Sequence, residues 1–243
     1  WESYSLHRSL MLGLGNSIAS SGSTGFHPSD ISGLVANFNF LQGLTLSSEF
    51  VTNWEDTTGS YNLQPEAAGL RPTYSIARGL IFAGGDAATG DRLELKDSGG
   101  DPATITLDTS SNGFCVITQY ASDNWDDGKN ILGEHDGDSA MSLHHRSGNN
   151  SFDFTIKDTT KNFALNTTTL VDGDYASIIL NGANDGATKL YIDGEEQDDT
   201  ETFASTDDFQ INQVGAANNT DVLVGNVKNI IIYDKELSTA ELA

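Results

Sequence analysis

The sequence is poor in positive charge, cysteine and helix-forming segments. Only 12 Lys and Arg stand against 35 Asp and Glu, for a formal net charge of -23. Without a basic stripe nothing displaces counterions from phosphates, which argues against a nucleic-acid partner. The same charge opposes an anionic membrane surface. No apolar run approaches the ~18 residues of a membrane helix, so no membrane insertion is expected. The one cysteine, Cys115, excludes an internal disulfide and thiolate zinc sites. It lies in the apolar run 114–117 and reads as a small buried hydrophobe rather than a nucleophile. Neither a Gly-x-Ser-x-Gly elbow nor a phosphate loop is present.

What is present is strand and turn. Asp outnumbers Glu by 24 to 11. Asp favours turns and caps, where Glu would favour helix interiors. About a dozen short β-favouring runs follow residue 31. RLELK (92–96) alternates with Leu93 and Leu95 on one face. SFDFTIK (151–157) places Phe152, Phe154 and Ile156 on one face and Asp153 and Thr155 on the other. KLYIDGEEQ (189–197) reads as a strand closed by an Asp193-Gly194 turn. NWEDTTGSYNLQ (53–64) reads as a polar loop. The one good helix start is Ser238 with Glu241, a capping box at the chain end. Strand after strand without crossover helices excludes a parallel α/β fold. The expectation is an all-β, antiparallel two-sheet β-sandwich.

Residues 1–30 differ in texture. SLHRSLMLGLG is apolar and glycine-punctuated, and NSIASSGSTG has linker composition. Residues 8–14 are too short for a signal core and contain Gly13, so they are not read as a secretion signal. The division expected is an extended or short-helical N-terminal arm over 1–30 and one sandwich domain over 31–243. Leu6, Leu10, Met11, Leu12 and Leu14 are the candidate residues through which the arm docks on a protein partner.

Three segments come into question as a site, and the second and third of them fail. Trp125, in the polar loop SDNWDDGKN, is the candidate exposed platform for a sugar, with Asp126 and His144 as polar contacts. Asp123–Glu134 partly imitates a helix-flanked calcium loop, but Trp125 stands at a ligand position and the flanks are strands. His144 and His145 point to opposite faces of a regular strand and do not chelate one ion together.

The C-terminal run GNVKNIIIYDKELSTAELA (225–243) resembles the closing strand of laminin-G-like, concanavalin A-like lectin domains. Gly225, Val227, Ile230, Ile232, Tyr233, Leu237, Ser238 and Glu241 carry that likeness. Leu190, Tyr191, Asp193 and Gly194 match the same family's hairpin. Trp54, Asp56, Gly59, Gln64, Arg71-Pro72, Gly79, Phe82 and Gly85 are similar to its opening strands. The resemblance implies a concanavalin A-like jelly roll. It also implies a calcium site from Asp136 and Asp138 beside Asn218, Asn219 and Asp221, completed by carbonyls and water. Laminarinase-like hydrolases of this fold carry Glu-x-Asp-x-x-Glu; here Glu134, Asp136 and Ser139 occupy those positions, and the last carboxylate is missing.

An arm joined to an acidic jelly roll is similar to phage virion structural proteins. The reading is a non-enzymatic virion-surface protein, decoration- or fibre-type, part of an oligomer or assembly. Its arm would dock on other virion or surface proteins and its sandwich would face host glycans. The alternative is a secreted, extracellular carbohydrate-binding module with a rim calcium; a glycoside hydrolase is third.

Overall fold

A computed structural model describes residues 27–242, except 87, 110–111, 126–128, 136–138, 147–148, 158, 167–169, 185, 204–207 and 218–221; over 142–150 it describes the backbone alone. A one-turn 3-10 helix, Pro28–Asp30, leads into the strands. In chain order these begin β1 (Leu34–Asn39), β2 (Leu44–Ser47), β3 (Phe50–Glu55), β4 (Tyr61–Gln64), β5 (Thr73–Ser75) and β6 (Gly79–Ala83). β7 (Leu93–Asp97), β8 (Ile105–Asp108), β9 (Phe114–Ser122), β10 (Lys129–Gly133), β11 (Ser139–Arg146), β12 (Asn149–Ile156) and β13 (Thr159–Ala164) form the middle. β14 (Ala176–Gly182), β15 (Ala187–Ile192), β16 (Glu195–Thr202), β17 (Asp208–Ile211), β18 (Gln213–Val214) and β19 (Val224–Tyr233) complete the set, before α1 (Thr239–Leu242).

Two antiparallel sheets form. The first runs β16–β15–β14–β9–β19, and β19 shares its other side between β6 near its start and β1 near its end. The second runs β2–β3–β4–β7–β18–β10–β11–β12–β13. Along one side β5 pairs with β6 and touches β3 through Phe50 and Thr73, joining the sheets. Along the other, β13 and β16 close together. There Ala164 N donates to Asp199 Oδ2 at 2.7 Å and Asn166 N donates to Gln197 Oε1 at 3.0 Å. β8 and β17 make a separate pair whose Ile105, Leu107, Phe209 and Ile211 enter the core. The expected all-β sandwich, a concanavalin A-like jelly roll, is therefore the fold.

Alternation explains the layering. Phe38, Trp54, Leu63, Leu93, Leu95, Phe152, Phe154 and Ile156 are all buried between the sheets. The rings of Phe154 and Phe209 meet edge-on, 4.5 Å apart at 76°, a favoured aromatic geometry. The central strands β9, β14 and β19 instead read as continuous apolar runs, because both of their faces are covered. Val116, Ile178 and Ile230 face the core. Cys115, Ile117, Ile179, Ile231 and Tyr233 face outward into a second cluster with Ile31, Leu237 and Leu242. The terminal segments thus cap the back of the first sheet. Tyr233 Oη donates to the Pro28 carbonyl at 3.1 Å, so its buried ring keeps a satisfied hydroxyl.

The segment 53–64 departs from the sequence expectation. It is not a loop but the hairpin β3–β4, with a turn over 56–60 built on Asp56. That buried carboxylate accepts from the N–H groups of Thr58, Ser60 and Tyr61. Trp54 and Leu63 pair across it and point inward. Their neighbours are polar because they line an outward face, and that polarity imitates a loop. The 189–197 hairpin forms as expected. Asp193 (φ 51°) and Gly194 (φ 85°) make its turn, which demands positive φ at both positions. The chain-end helix also forms, and Ser238 N donates back to Glu241 Oε2 at 2.8 Å.

Candidate functional site

The outward face of the second sheet carries the most organised polar surface among the described residues. The inward positions Trp54, Leu63 and Leu95 fix by alternation that Asn53, Asn62, Gln64, Glu94 and Lys96 face out. Three of them form a relay across β3, β4 and β7. Gln64 Nε2 donates to Asn53 Oδ1 at 3.1 Å, and Asn53 Nδ2 donates to Asn62 Oδ1 at 3.1 Å. Asn62 Nδ2 then donates to the Asp97 carbonyl at 3.2 Å. Each amide is thereby held in one orientation and keeps donor and acceptor capacity that these bonds do not use.

Beside the relay lies a cleft of about 310 Å3, lined by Glu94, Leu95, Lys96, Pro102, Ala103, Thr104, His135 and Asn212. Residues 101–104 fold back along β7, and Ala103 N donates to the Leu95 carbonyl at 3.1 Å. On the opposite side Asn212 marks the point where the chain leaves one strand pair for the main sheet. Its Oδ1 accepts from His135 N at 2.6 Å and its Nδ2 lies 3.4 Å from Thr104 Oγ1. Lys96 Nζ lies 2.9 Å from Glu94 Oε2, and both side chains are 18% exposed. His135 Nδ1 is 3.4 Å from Gln213 Nε2 and 4.0 Å from Glu94 Oε1. In the cleft's described lining Glu94 is the one carboxylate and Lys96 the one amine. Such a set can hold a ligand rich in hydroxyls.

A second concavity, behind the first sheet, holds Asn181, Tyr191 and Glu241. Its groups are taken up internally. Asn181 bonds the Leu237 backbone in both directions, and Tyr191 Oη donates to Glu196 Oε2 at 2.9 Å.

The sequence-derived site residues divide. Trp125 is corrected from an exposed platform to a core ring, 2% exposed. It meets Tyr120 edge-on at 4.8 Å, and its Nε1 donates to the Val171 carbonyl at 2.9 Å. A polar loop holds it, but its large apolar ring fills the rim of the core. Cys115 is buried as expected, and burial pushes its thiol pKa well up. His144 pairs with Ser151 in the β11–β12 ladder; its side chain lies outside the described residues. So do Asp126, the calcium candidates Asp136, Asp138, Asn218, Asn219 and Asp221, and the arm residues Leu6, Leu10, Met11, Leu12 and Leu14. The two calcium segments branch from neighbouring points: a Cβ on Gly133 would lie 2.4 Å from the Ala217 Cβ. Among the described residues no group of three or more His, Cys, Asp or Glu could hold a metal. No described helix is long and apolar enough to cross a membrane.

The relay and the cleft were missed in the sequence. The signal that finds them is the polar half of the alternation in NWE, YNLQ and LELK, once Trp54, Leu63 and Leu95 are recognised as inward.

No curated protein matches the chain. Among solved structures, it is similar to domain 4 of AbnA, an extracellular arabinanase of Geobacillus stearothermophilus, in complex with arabinotriose. The two are 17% identical with a TM-score of 0.56, over 86% of this chain and 96% of that domain. It is similar to the binding domain of botulinum neurotoxin serotype D at 13% identity and TM-score 0.55, over 86% of this chain. It is similar to Trypanosoma rangeli sialidase at 15% identity and TM-score 0.51, over 87% of this chain. The chain spans 50% of the toxin domain and 32% of the sialidase. These likenesses bear on the fold. Residues 96–243 match the family Laminin_G_3, described as the concanavalin A-like lectin/glucanases superfamily. By that match, over more than half its length, the chain belongs to the concanavalin A-like lectin/glucanases superfamily.

Proposed function

We propose that the domain is a non-enzymatic carbohydrate-binding module whose ligand lies on the outward face of the second sheet. The observation that carries the reading is the Gln64–Asn53–Asn62 relay running beside the Glu94–Lys96 cleft. Pre-oriented amides and a paired carboxylate offer donors and acceptors to sugar hydroxyls with little rearrangement on binding. The arabinanase domain, similar over nearly its whole length, was solved with arabinotriose, which supports a saccharide ligand. Glycoside hydrolysis uses two placed carboxyl groups, whereas the described cleft lining presents Glu94 alone.

The same proposal includes the anchoring arm and its display on a particle or cell surface. Ile31 and Pro28 dock behind the first sheet, in contact with the Tyr233 cluster. These two residues root the arm behind the first sheet, away from the polar face, so in this proposal a partner engaged through the arm leaves that face open. A rim calcium between the loops branching from Gly133 and Ala217 belongs to the proposal as well.

The test is affinity electrophoresis through gels containing arabinan, xylan or β-glucan. Retardation of the native chain by one of these, lost in an Asn53→Ala/Gln64→Ala variant of unchanged melting temperature, is the expected result. Retardation undiminished in that variant moves the site elsewhere.

A further inference from the structure

We infer that the ligand of this face is an uncharged saccharide, and that the Glu94–Lys96 pair is the element that turns charged sugars away. The inference rests on the carbohydrate-binding reading above and narrows it to a ligand class.

An anionic sugar, bearing a carboxylate or a sulfate, needs a cation to meet it. The strongest solution is a bidentate arginine, and the next is a lysine with no other partner. Among the described residues that line the cleft there is neither. The cleft's one amine is Lys96, whose ammonium is 2.9 Å from Glu94 Oε2 with both side chains mostly buried. Drawing Lys96 toward a ligand carboxylate strips Glu94 of that partner and sets two carboxylates side by side in a half-buried cleft, a costly arrangement. Elsewhere the described basic side chains are also engaged. Arg78 pairs with Asp123, Arg92 with Glu66, Lys189 with Glu196 and Lys235 with Glu241. Lys228 lies 3.9 Å from the centroid of the Tyr175 ring. The long-range field points the same way: a net charge of -23 repels anions on approach.

A cationic sugar meets the converse obstacle. The acidic field draws it in, but Glu94 is already neutralised by Lys96, and the ammonium stands in the lining where a sugar amine would have to lie. Uncharged hydroxyls need neither adjustment. Each can donate to an amide oxygen or to Glu94 and accept from an amide or ammonium N–H, with the existing bonds kept. Such a face reads hydroxyl pattern and not charge.

The experiment measures affinity of the full chain by calorimetry or gel retardation for three probe sets: arabinan and xylan oligosaccharides, polygalacturonate with sialyllactose, and chitosan oligosaccharides. The expected result is binding to an uncharged probe alone, changing less than about twofold between 0.05 and 0.5 M NaCl, since no ion pair to the ligand is available for salt to screen. Glu94→Gln, which frees the Lys96 ammonium, is expected to make polygalacturonate retention detectable, with a gain over the native background of up to about fivefold, the upper end for one partly exposed ion pair. Binding of polygalacturonate, sialyllactose or chitosan by the native chain overturns the inference while leaving the carbohydrate-binding reading intact. Absence of any binding overturns both. Binding to uncharged probes with no gain in Glu94→Gln overturns the assignment of the discrimination to this pair.

Discussion

Glu94 and Lys96, two residues apart on β7, face the same way and close an ion pair of 2.9 Å inside the cleft of the second sheet. Their cross-strand partners are Gln64 and Asn62, two members of the amide relay. One patch of four side chains therefore joins the charged and uncharged halves of the site. The pair leaves a surface rich in donors and acceptors but without local net charge.

Removing single amides should weaken saccharide binding without unfolding the domain. Each neutral hydrogen bond contributes about 0.5–1.5 kcal/mol. Asn53→Ala and Gln64→Ala should each raise Kd roughly threefold to tenfold. As half-buried residues outside the core, they should change unfolding free energy by less than about 1 kcal/mol. Calorimetric titration and urea unfolding of the same variants check both numbers.

Trp125 should act on stability and not on binding. Trp125→Phe keeps a ring against Tyr120 but loses the bond to the Val171 carbonyl, a loss of about 1 kcal/mol. Trp125→Ala empties a site in the core and should cost about 3–5 kcal/mol. A Trp125→Phe variant that folds normally but loses saccharide affinity would return the residue to the site.

Acid should destabilise the C-terminal cap. The Glu241 carboxyl is held down to about 2 from 4.5, first by the Lys235 ammonium and then by the Ser238 N–H and hydroxyl. A carboxyl whose folded pKa lies below its unfolded value stabilises the fold above the unfolded value, and that contribution disappears as pH falls through the folded one. The melting temperature should therefore drop between pH 4.5 and about 2 by more in the native chain than in Glu241→Gln. Asp91 and Asp193 are shifted upward by burial and act with the opposite sign. They are common to both proteins, so the difference between the two melting curves isolates Glu241.

Calcium should raise the melting temperature if the loops rooted at Gly133 and Ala217 share an ion. Saturation at a hundredfold excess over Kd stabilises by about 2.7 kcal/mol. Scanning calorimetry with calcium and with chelator reads the shift, and coincident curves remove the ion.

The sandwich was legible in the sequence because its signals are local. Alternation in 151–157 placed three core side chains, and Asp193-Gly194 announced its own turn. Tyr233, one of the residues that carry the resemblance of the closing strand, buries its ring and bonds its hydroxyl to the Pro28 carbonyl. The polar face was not legible, because its residues come together only through pairing across β3, β4 and β7. In one dimension Asn53, Asn62 and Gln64 have the composition of a loop, and the inward turns of Trp54 and Leu63 reveal the hairpin. Trp125 misled for the complementary reason. Its neighbours are polar, yet burial of an indole is decided by what it packs on, here Tyr120 on β9, the strand that leads into its own loop.

The most direct test of the central claim is nuclear magnetic resonance of the side-chain amides during titration with the uncharged oligosaccharide that binds best. The account predicts that the Asn53, Asn62 and Gln64 NH2 signals shift together with saturation, along with the His135 ring signals, while the Trp125 indole stays still. Shifts confined to Trp125, or to amides outside the second sheet, would contradict it.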